Sequence, residues 1–341
     1  MSPKFKNPRA RYNFQGRTCS ITGVGSYVPA KILTNADLEK MVDTSDEWIT
    51  TRTGIKSRRQ AAKDEFTSDL AAHAAQRAMK KAGVTADQVD LIIVATITPD
   101  MPFPATACIV QQKIGARRAA AFDLEAACSG FIFGLEVGQQ FIMSRTYDTV
   151  LVIGAEKLSS IVDWKDRNTC VLFGDGAGAA VLQSRPNSHG LLTAVMGADG
   201  AKGNLIYMPG GGSRCPASVD SVGARLHFLR MEGKETFKNA VQAMLTAARE
   251  ALRRCELDIT KIKCVIPHQA NLRIINAVGE RLGATPEQLF INLDRYGNTS
   301  AASVAIALDE AVSSGKIQRG DLILLIVFGA GLTWGAAVIE W

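Results

Sequence analysis

Three side chains in this chain could carry covalent chemistry. They are Cys128 in DLEAACSGFIFGLE, His268 in CVIPHQANLRII and Asn298 in FINLDRYGNTSAAS. Each follows an apolar, strand-like run and precedes a run of small, helix-compatible residues, which puts it at the mouth of a turn at the end of a buried strand. A thiol there is a nucleophile, an imidazole accepts or donates a proton, and a neutral amide donates a hydrogen bond without changing charge. Together they suit thioester chemistry better than metal binding or peptide hydrolysis.

The residues around each member sharpen this reading and leave structural alternatives open. Cys128 opens the glycine-spaced apolar run GFIFGLEVGQQFI. A helix starting there favours thiolate through its dipole and free amides, whereas an arbitrary cysteine is more often packing. His268, with an ordinary pKa near 6.5, serves as base or as donor to an oxyanion, or is a satisfied core histidine. His73, His189 and His227 have no comparable setting and are given no role. Asn298 in YGNTSAAS suits a donor to an enolate oxygen, and Asn298 or Thr299 equally suits a helix N-cap. FGAGLTWG, residues 328–335, offers backbone N–H groups for an oxyanion hole or is simply a hairpin. The triple glycine at 210–212 fits no phosphate loop and reads as a flexible connection.

The elements that must hold these residues alternate strand and helix throughout. SITGVGSYVP, DLIIVATITP, AAFDLEAA, DTVLVIGAE and AGAAVLQ read as strands, nearly continuous in apolar residues as expected when both faces are covered. TSDLAAHAAQRAMKKAG reads as a helix capped by Thr67 or Ser68 and stopped by Gly83. The plan then repeats. FGDGAGAAVLQ resembles FGAGLTWGAAVIEW, VDLIIVATITPDMPFPATACIVQQKIG loosely matches IKCVIPHQANLRIINAVGERLG, and FDLEAACSG matches INLDRYGNTS. The repeat predicts two βαβαβ halves about a pseudo-twofold axis, with the three polar residues gathered in a central cleft. The boundaries are a basic tail (1–17), a first half with Cys128 (18–187) and a second half with His268 and Asn298 (188–341), split near 184–190.

Bulk properties limit the alternatives. The 341 residues are 47% hydrophobic, with 30 glycines and a net charge of +6, which fits a well-buried α/β protein. The longest apolar stretch, Leu322 to Phe328, is strand-length, well short of the roughly 20 residues of a membrane span. Residues 1–17 carry Lys4, Lys6, Arg9, Arg11 and Arg17 but no apolar signal core. The charge is too small and dispersed for nucleic acid, although it suits an acidic carrier or phosphate groups. The seven cysteines, at 19, 108, 128, 170, 215, 255 and 264, form no CxxC pair. They indicate a reducing, cytoplasmic setting with no zinc site and no disulfide framework, most of them being small buried residues.

AACSGF, IPHQANLRI, YGNTSAAS and FGAGLTWG, with DTSDEWITTRTGI (43–55) and FGDGAGAAVL, together resemble β-ketoacyl-acyl-carrier-protein synthase III of the thiolase superfamily, from about residue 18 to the C-terminus. Gly329, Ala330 and Gly331 stand where thiolases have a second cysteine. Asn298 stands where chain-elongating synthases have a second histidine. The resemblance implies a thiolase-like fold with α-β-α-β-α layers and a homodimer. It also implies a Cys128–His268–Asn298 site that transfers a short acyl group, acetyl foremost, from acyl-CoA to Cys128. The N–H groups of Cys128 and Ala330 would hold the oxyanion. Decarboxylation of malonyl-carrier protein would follow, with His268 and Asn298 stabilising the enolate and no metal or redox cofactor required.

The same resemblance implies further roles. Trp48 and Arg167 would stack on the CoA adenine, Arg52 would lie near its phosphates, and Gly233 would also contact the CoA. Phe103 would reach across the dimer to close the acyl pocket beside Leu158, and Arg273 would meet the carrier protein. Taken singly, Trp48 also reads as a buried anchor and Arg273 as a surface arginine. Lys234 replaces an asparagine found in some relatives, and Glu280–Arg281 replaces a frequent basic pair. A relative that loads unusual starters, or a carrier-binding scaffold without turnover, is the alternative.

Overall fold

The computed structural model describes residues 17–185 and 190–341. The basic residues Lys4, Lys6, Arg9 and Arg11, His189 and the boundary at 187/188 lie outside the described residues. Two main sheets carry the fold. The first contains β1 (Cys19–Tyr27), β2 (Leu91–Ala95), β3 (Ala120–Leu124), β4 (Thr149–Glu156) and β5 (Gly176–Ser184), in the order β1-β5-β4-β2-β3. β2 pairs in parallel with β3 and β4, while β5 runs antiparallel to both β4 and β1. The second contains β6 (Leu191–Ala198), β7 (Cys264–Pro267), β8 (Leu322–Gly329) and β9 (Thr333–Glu340), in the order β7-β8-β9-β6.

The two orders are the same path walked twice, with β6, β7, β8 and β9 repeating β1, β2, β4 and β5. The counterpart of β3 shrinks to a single parallel bridge between Val265 and Leu289. Its segment, TPEQLFIN, has only the three-residue apolar run Leu289–Ile291 after a proline and polar residues, which leaves little that can pair as a buried strand.

Each half contributes three helices that matter for layering. α1 (Asp46–Thr53) precedes them. The first half has α2 (Thr67–Ala82), α3 (Thr106–Ile114) and α4 (Gly130–Met143), and the second has α5 (Gly233–Arg254), α6 (Leu272–Leu282) and α7 (Ala302–Ser313). α2 and α3 cover the outer face of the first sheet, α5 packs on the second sheet with α6 against it, and α4 and α7 lie between the two sheets. The result is a duplicated five-layer α-β-α-β-α fold.

Small residues permit the close approach in the middle. A Cβ on Gly134 would lie 2.8 Å from Val152 Cγ1, and one on Gly138 would lie 2.9 Å from Leu182 Cδ1. α4 therefore rests directly on the first sheet. α7 does the same over Gly154, where a Cβ would come within 2.4 Å of Ala301 O. Phe131, Ile132 and Leu135 from α4 join Val304 and Leu308 from α7 in the core between the sheets.

α2 begins one residue earlier than its expected caps allow. Its N-cap is Phe66, whose N–H donates to the Asp69 carboxylate at 2.9 Å. Thr67 and Ser68 are instead drawn off to Thr98 O and Asp100. Gly83 ends the helix at φ +68°, as its type predicts. Three cysteines, Cys19, Cys170 and Cys264, are buried. Cys108 is exposed and the other three are half-buried, so burial is less general than composition suggested. All seven are free. No helix among the described residues is long and apolar enough to cross a membrane.

Candidate active site

β3 leads into a short turn, Ala127–Ser129, and α4 follows from Gly130. Ala127 takes φ +46°, a left-handed conformation that swings the chain from strand to helix and sets Cys128 at the helix N-terminus. The FGAG loop of the other half presses against this turn. A Cβ on Gly329 would lie 2.6 Å from Cys128 N and 3.0 Å from Cys128 Cβ. Thr333 Oγ1 lies 3.0 Å from Ala126 O and 2.9 Å from Ala330 O, tying nucleophile turn and glycine loop together.

The second half mirrors this with the roles exchanged. The FGDG loop of the first half packs on the Asn298 turn, where a Cβ on Gly174 would lie 2.2 Å from Tyr296 O. Asn298 N donates to Leu172 O at 2.8 Å, and Gly174 N donates to Asn298 O at 3.0 Å. Asn298 is not the N-cap of α7, a place held by Ala301. Its Oδ1 instead accepts from Ser300 N at 2.8 Å. That bond leaves Nδ2 as the atom able to donate elsewhere.

His268 directly follows β7, and its N–H donates to Ile326 O at 2.7 Å. Its Nδ1 lies 2.6 Å from Ser303 Oγ on α7. Burial pushes the imidazole down to about 4, so it is neutral near pH 7. Burial also pushes the Cys128 thiol up to about 12; the Ser300 hydroxyl opposes this and the negative Glu156 adds to it. The thiolate-favouring helix N-terminus is therefore outweighed at rest.

Cys128, His268 and Asn298 line one cavity of about 1540 Å³, together with Ala330 and the rest of the glycine loop. Trp48, Arg52, Leu158 and Gly233 line it too. Outside its wall, Arg167 stands with its guanidinium carbon 5.3 Å from the Trp48 ring centre, and Arg52 stands over the same ring at 4.6 Å. Trp48 is half-buried beneath two arginines and also packs against the apolar cluster that contains Leu38 and Ile49. Leu158 is fully buried. Arg273 is exposed in the first turn of α6, and Phe103 is 84% exposed; neither lines the cavity.

Several lining or supporting residues escaped the reading of the sequence. Gly210, Gly211 and Gly212 form part of the cavity wall and are more than a connection. Ser303 and Thr333 carry no motif of their own, although both lie inside quoted segments. FGAGLTWG is a tight β8–β9 hairpin connection, and it also walls the site.

Two similar halves that each press a glycine loop onto the other's strand-to-helix turn, with cysteine, histidine and asparagine in one cavity, define the thiolase-like condensing enzymes. Comparison with known proteins narrows the class. Residues 122–200 match the family described as 3-oxoacyl-[acyl-carrier-protein] synthase III, and residues 252–341 match its C-terminal part. A β-ketoacyl-[acyl-carrier-protein] synthase III from Caldanaerobacter subterraneus is 60% identical over 94% of this chain and 97% of the relative. The crystal structure of 3-oxoacyl-[acyl-carrier-protein] synthase III from Aquifex aeolicus superposes with a TM-score of 0.88 at 49% identity, covering 95% of this chain and 100% of that one. A priming β-ketosynthase from a polyketide pathway is 36% identical with a TM-score of 0.87, covering 99% and 98%.

The chain belongs to the β-ketoacyl-[acyl-carrier-protein] synthase III family. It is an acyltransferase that carries out the initiating condensation of fatty acid synthesis, which removes the scaffold without turnover from consideration.

Proposed function

We propose that this enzyme condenses a short acyl-CoA, acetyl-CoA foremost, with malonyl-carrier protein through an acyl-Cys128 intermediate. The observation that carries this reading is the single cavity running from Trp48 and Arg52 to Cys128, His268 and Asn298. In this reading the adenine stacks between Trp48 and Arg167, since an indole and a guanidinium both present flat faces. Arg52 meets the phosphates, and the pantetheine arm passes Gly233 and Lys234.

Cys128 attacks the thioester carbonyl while its own N–H and that of Ala330 hold the oxyanion. Neither N–H is engaged in a turn or loop hydrogen bond among the described residues, so both remain available. CoA departs and malonyl-carrier protein enters past Arg273. Loss of carbon dioxide leaves an enolate, to which Asn298 Nδ2 and His268 Nε2 donate. A neutral imidazole with Ser303 donating to Nδ1 carries its proton on Nε2, as this step requires. The carbanion attacks the acyl-Cys128 thioester and the β-ketoacyl-carrier protein leaves. Decarboxylation drives bond formation, so the reading needs no cofactor; acyl-CoA is a substrate.

The reading includes a homodimer. β3 is an edge strand with half-exposed residues, and Phe103 protrudes just before Thr106, whose N–H donates to Asp123 of β3, a combination that proteins ordinarily cover. Phe103 then closes the partner's acyl pocket next to Leu158. The similarity to a polyketide-priming ketosynthase favours a second reading, in which the preferred starter is longer than acetyl.

Intact-protein mass after mixing with acetyl-, isobutyryl- and longer acyl-CoAs tests both. An adduct of one acyl group, absent from Cys128→Ala, is expected, and the fastest donor identifies the starter class. His268→Ala and Asn298→Ala should still form much of the adduct but fail to condense it. An adduct that persists in Cys128→Ala would sink the mechanism.

A further inference from the structure

Directly behind the Cys128 turn lies a buried carboxyl that the mechanism above does not use. Glu156 ends β4 with no solvent exposure. Its Oε2 accepts from Thr98 Oγ1 at 2.6 Å, Thr96 Oγ1 at 3.1 Å and Ile97 N at 3.1 Å. Oε1 has only a long bond of 3.3 Å from Ile97 N. Donors crowd one oxygen and leave the other nearly open.

Ser300 is the neighbour able to use it. The residue is 1% exposed and held at φ +49°, with its N–H on Asn298 Oδ1. Its Oγ is buried and has no partner at hydrogen-bonding geometry. Such an orphan hydroxyl is costly to bury and calls for a function. The turn it belongs to is packed against both partners. A Cβ on Gly154 of β4 would lie 2.4 Å from Ala301 O, and one on Gly130, two residues after Cys128, would lie 3.5 Å from Ala301 Cβ. The hydroxyl bears on the thiol and on the carboxyl alike.

We propose that Ser300 and Glu156 form a proton-holding pair behind Cys128. On acylation the thiol proton passes to Ser300 Oγ while the Ser300 proton passes to Glu156 Oε1. The sulfur forms its bond to the acyl carbon, the carbon–sulfur bond to CoA breaks, and the CoA thiolate takes its proton from solvent. On condensation the enolate carbon bonds to the acyl carbon and the Cys128 carbon–sulfur bond breaks. The released thiolate then recovers the stored proton through Ser300. In this pair Ser300 exchanges the proton with the reacting sulfur, and Glu156 acts through Ser300.

The surroundings suit a carboxyl that changes state near neutrality. Burial pushes Glu156 up to about 7, with its hydrogen bonds from Thr98, Ile97 and Thr96 and the nearby Ser300 hydroxyl opposing. Next along the chain, Lys157 sends Nζ away to Ala62 O and Glu65 O. Asp175, just before the β5 residue that pairs with Glu156, is held by Ala61 N and by Ser159. Among the charged groups on the cavity wall are Asp100, Asp123, Glu125, Arg52, Glu232 and Lys234, and His268 lies across the cavity. No ion pair reaches Glu156 among the described residues.

This inference rests on the acyl-Cys128 reading, and one experiment separates the two. Rapid-quench intact mass gives the acylation rate with acetyl-CoA from pH 5.5 to 9 for wild type, Glu156→Gln, Ser300→Ala and Ser300→Gly. The wild-type rate should rise through an inflection near neutrality, where the carboxyl becomes able to accept. All three variants should reach the same single-acyl adduct about 100-fold more slowly, the general-base range, and without that inflection. Glycine tolerates φ +49° better than alanine, so Ser300→Gly acylating at wild-type rate would reduce Ser300 to a backbone role and overturn the proposal. Glu156→Gln retaining the wild-type rate and inflection would overturn it equally. Absence of any adduct in wild type would instead overturn the acyl-Cys128 reading.

Discussion

Replacing Gly329 by alanine should cripple acylation while leaving the protein folded. Gly329 is not in the left-handed region, so alanine suits its backbone and only space is at issue. The new methyl would sit 2.6 Å from Cys128 N, 3.0 Å from Cys128 Cβ and 3.2 Å from Cys128 Cα. Ordinary contact begins at 3.4 Å, so about 0.8 Å (3.4 − 2.6) must be made up. The obstructing atoms are backbone and Cβ and cannot rotate aside, so the nucleophile turn itself has to move. Overpacking of this kind costs about 1–3 kcal/mol of stability. A displacement approaching 1 Å costs on the order of 100-fold in rate, or about 2.7 kcal/mol of barrier. Rapid-quench mass spectrometry reads the acylation rate, and thermal unfolding separates misplacement from loss of fold. Gly223→Ala is the control, because nothing lies within 4 Å of its added methyl. A folded Gly329→Ala enzyme acylating at the wild-type rate would show that the loop does not set the position of Cys128.

Other consequences are as direct. Trp48→Ala should raise the KM for acyl-CoA about tenfold, within the 1–3 kcal/mol that aromatic stacking on a base contributes, with little change for malonyl-carrier protein; equal effects on both would deny the adenine contact. The buried imidazole and carboxyl should give opposite pH signatures in thermal unfolding. His268 falls from 6.5 to about 4 on folding, so the unfolded chain binds the extra proton and wild-type stability drops as pH falls from 6.5 through 4. His268→Gln should therefore gain on wild type with acidification. Glu156 rises from 4.5 to about 7, so the folded chain holds the extra proton and stability drops as pH climbs through that window. Glu156→Gln should gain on wild type with alkalinisation, and a pH-independent difference for either variant would contradict its burial.

Local patterns were legible in the chain because their causes are local. Continuous apolar runs mark β2 and β4, since a strand covered on both faces cannot afford polar residues. Gly83 marks a helix end through the conformation it permits. The resemblance of FGDGAGAAVLQ to FGAGLTWGAAVIEW exposes the duplication, and with it the meeting of Cys128, His268 and Asn298. What remained hidden depends on contacts between distant segments. No spacing rule pairs Ser303 with His268, or buries the Ser300 hydroxyl without a partner. The glycines at 210–212 are indistinguishable from a linker until the cavity is built around them. Nor could the sequence tell which influence on the thiol prevails. The helix N-terminus that favours thiolate is a property of the residues around position 128, but the burial that keeps the proton on is created only when the second half closes over the first.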